Sequence, residues 1–371
     1  MSIQRRYDID WIRVIVFDIL IIYHIGMFFV PWDWEIKNNE IIEWIKWPMI
    51  FVNRWRLSIL FMISGIGTWF ALSRKNSFQF VKERFKRLFI PLLFGTLFIV
   101  SPQIYLVRTS EGFSYSSFFE FYPDFFVGIY PEGNFSWGHL WFLPYLLIIT
   151  LAAVPILIGL RKASNPIVLW LRSLVNRLPL GLYIFIFPLF LVEIYLEPYY
   201  PITHALWSDW YALAHYLLCF LSGYMLICMK DDFWNAAVKV KNYALFIGLI
   251  SFPSMLWMWE NYQSIFWISL LGTLNRWSWI LVIFGYSSSF LNKASGVLQY
   301  RNQAVYPLYI LHQTIIIILG FFLMNSAIAN YWKFLILLIG TYLGCWMIYE
   351  FIIKRVRLLR PLFGLKTADK R

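Results

Sequence analysis

The stretch Asp8–His24 reads DIDWIRVIVFDILIIYH and runs on as IGMFFV to Val30. From residue 11 to 30 it is apolar over the ~20 residues that carry a helix across ~30 Å of hydrocarbon. Yet Asp10, Arg13, Asp18 and His24 lie in it or at its edge. An ionisable side chain at membrane depth is costly, so it belongs in a bundle interior and is a functional candidate by default. The segment therefore predicts a membrane protein with chemistry inside its helices.

Composition extends that reading to the whole chain. The 371 residues are 60% hydrophobic and 14% charged, against about 25% charged in a soluble domain. The excess apolar surface has to face lipid. Apolar runs of span length recur at 11–30, 49–72, 88–106, 140–160, 180–196, 208–228, 243–259, 264–290, 303–324 and 332–353. The fold class expected is all-α: a polytopic membrane protein of about ten transmembrane helices, forming a single domain over residues 1–371.

Orientation follows from the Lys and Arg of alternate loops. Arg74, Lys75, Lys82, Arg84, Lys86 and Arg87 crowd the second loop, Arg161, Lys162, Arg172 and Arg177 the fourth. Lys230, Lys239 and Lys241 hold the sixth, Lys293 and Arg301 the eighth, and the tail runs from Lys354 to Lys370 and Arg371. The intervening loops tend to acid, with Asp33, Glu35, Glu40 and Glu43 in the first. Both termini are thereby expected in the cytoplasm. The same alternation accounts for the net charge of +12 and removes nucleic acid as a partner; membrane lipids are the expected surroundings. Cys219, Cys228 and Cys345 sit in apolar runs without metal-ligand or disulfide spacing, so no metal is expected. The first run lacks a small-residue cleavage site and reads as a retained span. The outer loops are rich in aromatics, Trp32, Trp34, Trp44 and Trp47 in the first and Phe113 to Trp137 in the third, which for most of them suits an interfacial belt, the alternative being apolar platforms for a sugar ring outside the membrane.

Arg13 and His24 are eleven residues apart, which returns them to nearly one face of a helix at a separation of roughly 16 Å. They line one vertical track, with Asp10 a turn from Arg13 and able to orient it. A ligand with an anionic head at the cytoplasmic face and a reactive end within the membrane fits such a track, and an acyl-coenzyme A has that form. Histidine suits acyl transfer because it accepts and returns a proton near neutral pH. In the ninth span, QAVYPLYILHQTIII places His312 near the bilayer centre beside Tyr309 and Gln313, with Pro307 a helix turn before. His312 could position an acceptor hydroxyl or act as a second base. In KERFKRLFIP, Arg84 and Arg87 share a face if helical and could grip a phosphate. Arg56 and Arg276 also lie at depth and are expected to face the bundle interior, as candidates for substrate contact.

Arg13 and His24 form the R-x10-H pattern of the first helix in the acyltransferase-3 family of bacterial membrane proteins, which this chain resembles over nearly its whole length. Arg84-Phe-Lys-Arg87 is similar to the family's cytoplasmic R-x-x-R motif, and FMISGIGTWFAL to its second helix. GHLWFLPYLL from Gly138, LNRWSWILVIFGY from Leu274 and YPLYILHQT from Tyr306 look like its glucan-biosynthesis branch. The resemblance implies about ten helices in a bacterial inner membrane and transfer of an acyl group from cytoplasmic acyl-coenzyme A to a carbohydrate hydroxyl outside. It implies that Arg13 and His24 handle donor and transfer, and that Arg84 and Arg87 contact the donor's anionic groups. Many relatives carry W-S-L-x-x-E where this chain has His139-Leu-Trp141-Phe-Leu-Pro144, so no role passes from that glutamate; His139 is a candidate for the acceptor side.

The expected function is thus an O-acyltransferase using acetyl-CoA or succinyl-CoA, with His24 as general base or transient acyl carrier. A polysaccharide or lipid-linked-sugar exporter is the alternative; such a transporter would often show inverted repeats and paired broken helices, and the sequence shows neither. A second rival, the membrane-bound O-acyltransferase class, would make His312 alone essential.

Overall fold

The structure is a computed structural model that describes residues 5–162 and 164–366; Lys370 and Arg371 of the basic tail lie outside the described residues. Its helices in chain order are α1 (Tyr7–Met27), α2 (Lys46–Leu72), α3 (Ser77–Phe94), α4 (Ser101–Ser110), α5 (Phe118–Asp124), α6 (Phe142–Leu160) and α7 (Pro166–Arg177). There follow α8 (Ile186–Leu196), α9 (Trp210–Cys228), α10 (Asp231–Asn261), α11 (Ile265–Phe290), α12 (Gly296–Leu323), α13 (Asn330–Met347) and α14 (Leu359–Leu362). Among the described residues there is no strand beyond one isolated bridge, Ile129 with Phe135. This is the all-α polytopic architecture expected. In lipid a backbone must satisfy itself, and the helix does so within one segment.

All ten expected spans fall on helices. Eight helices among the described residues are long and apolar enough to cross a membrane. The other two are α1, which carries Asp10, Arg13 and Asp18, and α10, which is 31 residues long and interrupted by polar and Trp residues. The third span begins earlier than its apolar run: Arg84 and Arg87 lie on α3, which continues through a π-turn at Gly95–Val100 into α4 as one 34-residue helix. Pro102 has no N–H to donate to the preceding turn, and the helix passes it with the wider turn.

The chain divides into two compact units, one of Met1–Val16, Phe51–Glu83 and Tyr145–Leu298, the other of Phe17–Ile50, Arg84–Pro144 and Gln299–Arg371. In the first, α2 and α9 meet through glycine. A Cβ on Gly65 would stand 2.1 Å from Phe220 O, and one on Gly223 2.1 Å from Met62 O. Small residues let two backbones approach this closely, which in lipid is a main source of helix association. Helix α8 packs against α9 and α11, where Glu193 gathers a buried cluster. Its Oε2 pairs with Arg276 and accepts from Tyr211 (3.4 Å) and Thr273 (3.3 Å), while Oε1 lies 3.6 Å from Arg54. Arg276 Nε donates to Arg54 O at 2.9 Å.

In the second unit, Ile21, Ile25 and Phe28 pack with Val107, Ile316, Ile317 and Leu337 in one core that also takes in Phe29 and Ile36. The aromatic third loop has a core of its own. Phe121 and Phe125 are fully buried among Tyr105, Phe118, Tyr122 and Phe135, so only some of the loop's rings, such as Phe119, remain exposed to form a belt.

Two outcomes are expected from this packing. Gly223→Val forces α2 and α9 apart and costs at least the ~1–3 kcal/mol of overpacking, read as a lower melting temperature of the detergent-purified protein; an unchanged value contradicts the close crossing. Arg276→Ala leaves Glu193 buried beside the more distant Arg54 and destabilises by about 3–5 kcal/mol, and adding Glu193→Gln recovers much of that loss in the same measurement.

Candidate functional site

The second unit brings His24, His312, His139, Tyr309 and Gln313 together. His312, fully buried on α12, lies 2.7 Å through Nε2 from His24 Nδ1 on α1. Its other nitrogen, Nδ1, is 2.7 Å from the carbonyl of Tyr309. A carbonyl only accepts, so the hydrogen-bond network assigns the proton of His312 to Nδ1. Nε2 of the neutral ring then accepts, and His24 Nδ1 must donate. In a neutral His24 this leaves Nε2 unprotonated. One backbone carbonyl thereby sets the tautomer of two rings in series.

His139 lies in a 3₁₀ turn, Gly138–Trp141, just ahead of α6, with its ring 5.1 Å from that of His312. It is buried. Its Nε2 donates to Ile310 O at 3.1 Å, and Nδ1 accepts from Gln103 at a long 3.5 Å. Gln103 also donates to Thr314 (2.6 Å), whose hydroxyl donates to Ile99 O inside the π-turn at 2.8 Å. The Tyr309 hydroxyl donates to His139 O at 2.7 Å, and its ring packs edge-on against Phe17 and Phe142. His139 and Tyr309 thus clamp α12 to the start of α6, and Ile99 O in the π-turn ties α12 to that turn through Thr314. Gly138 has φ +47°, a left-handed value suited to glycine, and a Cβ there would stand 3.2 Å from Val100.

Gln313, next to His312, donates to Glu35 Oε1 at 3.0 Å. Arg84, half-buried, and Arg87, exposed, lie on α3, and the Tyr306 hydroxyl donates to Arg87 O at 2.9 Å. Helix α12 is thus tied to the helix that carries both arginines. Asp10 and Arg13 belong to the first unit. Asp10 accepts from Arg13 at 3.2 Å and from Arg5 at 2.9 Å. Arg56 and Arg276 are buried in that unit, with Arg276 held by Glu193. The order of the chain gave no pairing for Gln103, Thr314, Glu35 or Glu193. Gln103 and Glu193 carried a signal all the same: each is a polar residue inside an expected span, the criterion that picked out His24.

The acyltransferase domain model of the acyltransferase-3 family matches residues 6–350. Glucans biosynthesis protein C of Escherichia coli O1:K1 / APEC is 23% identical over 391 aligned positions, covering 99% of this chain and 96% of that protein. The protein of the same name from Escherichia coli strain SMS-3-5 / SECEC is 27% identical over 155 residues, 41% of this chain and 38% of that protein. No solved structure matches. The domain match begins just ahead of α1 and takes in every residue of the histidine cluster and both arginines of α3, and the chain belongs to the acyltransferase-3 family.

Proposed function

We propose that the protein is an inner-membrane O-acyltransferase. It takes an acetyl or succinyl group from cytoplasmic acyl-coenzyme A and passes it to a hydroxyl of a carbohydrate on the far side of a bacterial membrane. The observation that carries this reading is the hydrogen-bonded series Tyr309 O, His312, His24, which presents an unprotonated Nε2 on His24. The name of the relatives, glucans biosynthesis protein C, supports a carbohydrate as acceptor.

In this mechanism His24 Nε2 takes the proton of the acceptor hydroxyl as its oxygen attacks the thioester carbonyl. The new C–O bond forms, the C–S bond breaks, and the imidazolium returns its proton to the departing coenzyme A thiolate. While His24 is charged, its Nδ1–H keeps the bond to His312, which steadies the cation where hydrocarbon would not. In a two-step route the same lone pair attacks the thioester carbonyl and expels the coenzyme A thiolate. The acceptor hydroxyl then attacks the acyl group, the N–C bond breaks, and the freed Nε2 takes the hydroxyl proton and passes it to the thiolate. His312 is a positioning residue in either route. Arg84 and Arg87 hold the donor's phosphates with their guanidinium forks, and Arg13, braced by Asp10, guides the donor.

His24→Ala is expected to lower transfer of labelled acetyl from acetyl-CoA to membrane carbohydrate by about 10²–10⁴-fold, the usual worth of a general base, with folding unchanged by size-exclusion profile. Full activity in that variant would sink the assignment. His312→Ala should cost less, and His312→Gln, whose side chain still offers an acceptor, should recover part of the loss. Arg84→Ala with Arg87→Ala should raise the KM for acyl-CoA about tenfold or more while sparing kcat at saturating donor; a fall in kcat alone would place those arginines elsewhere in the cycle.

A further inference from the structure

The loop from Phe28 to Ile42 is built, not slack. Asn38 and Ile42 donate backbone N–H groups to Phe28 O and Phe29 O, each at 2.9 Å. Lys37 Nζ caps the end of α1 by donating to Met27 O (2.7 Å) and Val30 O, and Lys333 Nζ holds Asn38 at 2.8 Å. Ile36 enters the core between these anchors. Its neighbour Glu35 is thereby delivered to Gln313, the residue after His312, which donates to Oε1 at 3.0 Å. The second carboxyl oxygen, Oε2, is shielded from solvent and accepts no hydrogen bond.

A shielded carboxylate oxygen without a partner costs on the order of 1–3 kcal/mol or more, so its retention calls for an occupant. Burial pushes the Glu35 carboxyl up to about 7, against the weaker influence of its own backbone N–H and of Gln313. Tyr130 lies close enough for Glu35 to help raise its phenol above the ordinary range, after burial itself. Its loop is fixed by Arg108, which donates to Asn134, Pro131 O and Gly133 O and lies over the Tyr130 ring. An unmet oxygen beside a primary amide, on a braced loop and within electrostatic reach of the Tyr130 phenol, suits a polyhydroxylated ligand. Hydroxyls donate to the oxygen, and a ring face lies against the aromatic.

We propose that Glu35, with Gln313 and Tyr130, forms a subsite for the acceptor carbohydrate, in which Oε2 accepts a hydrogen bond from a sugar hydroxyl other than the one acylated. The inference rests on the acyl-transfer reading and adds to it the place where the acceptor is recognised. Glu35→Gln keeps the shape and an acceptor for Gln313 but turns the second position from acceptor to donor.

The test uses the full chain in lipid nanodiscs at pH 8, labelled acetyl-CoA and succinyl-CoA as donors, and linear glucose pentamers with their monodeoxy analogues as acceptors. Glu35→Gln and Glu35→Ala should raise the acceptor KM about ten- to hundredfold, the worth of one hydrogen bond to a charged group. The kcat at saturating acceptor should stay within about threefold and the donor KM unmoved. One deoxy analogue should be a poor acceptor for the wild type and no poorer than its parent sugar for Glu35→Ala. An unchanged acceptor KM overturns the subsite and leaves Oε2 to a trapped water. Loss of acceptor-independent acyl-CoA hydrolysis in the variants also overturns it, and assigns Glu35 to the histidine pair. A wild type that neither transfers nor hydrolyses acyl-CoA overturns the acyl-transfer reading itself, and the subsite with it.

Discussion

The bond between His24 and His312 is the kind of contact that lipid forces into existence. An imidazole in hydrocarbon finds no water to satisfy it, so each ring nitrogen at that depth must be met by another helix or by a ligand. Tyr309 O lies on the same helix as His312 and can only accept, so every later proton position follows from it. The series holds only while α1 and α12 stand at the right height, and the rest of the unit serves that end. Phe17 and Phe142 brace the Tyr309 ring, its hydroxyl holds His139 O, and the core around Ile25 and Ile316 sets the distance between the helices.

The irregular backbone in this unit is part of the same design. A helix carbonyl that already accepts the N–H four residues on keeps a second lone pair, and a neighbouring side chain can use it. Inside the wider turn at Gly95–Val100, Ile99 O accepts from Thr314 of α12. Through Gln103 that contact reaches His139 and, by the Tyr309 hydroxyl, the start of the histidine series.

How far the sequence carries can be judged residue by residue. Span length finds all ten helices because it responds to the bilayer and needs no knowledge of partners, although α3 and α10 begin well ahead of their apolar runs, at Ser77 and Asp231. Arg13, His24 and His312 are legible for the same reason: a titratable group within an apolar run stands out by itself. The partnership of His24 with His312 is not legible, since 288 residues separate them and only packing brings α1 to α12. Glu35 is hidden by a different cause. It sits in an acidic loop, where a carboxylate counts toward topology, and its burial comes from a loop fold that Lys37, Asn38 and Lys333 impose from two directions. In the aromatic third loop composition does not separate the two fates of a ring: Phe121 and Phe125 are buried, while Phe113, Phe119 and Phe126 stay exposed.

Depth alone does not separate a structural polar group from a functional one, and the two units show what does. Glu193 is buried, yet both its oxygens are engaged, by Arg276, Tyr211 and Thr273 on one side and Arg54 on the other. Such a set is closed. A pair of this kind is seldom more stabilising than the apolar residues that could replace it, but it is costly to break, and so it holds α8 and α11 to one arrangement. The histidine series differs in kind: it is held by single hydrogen bonds between neutral rings, whose tautomers the Tyr309 carbonyl sets. Glu35 is open, through an oxygen that the protein shields and does not satisfy. The His24 contact and the Glu35 contact belong to one unit and fall on consecutive residues of α12, His312 and Gln313, so whatever fixes that turn of α12 fixes both.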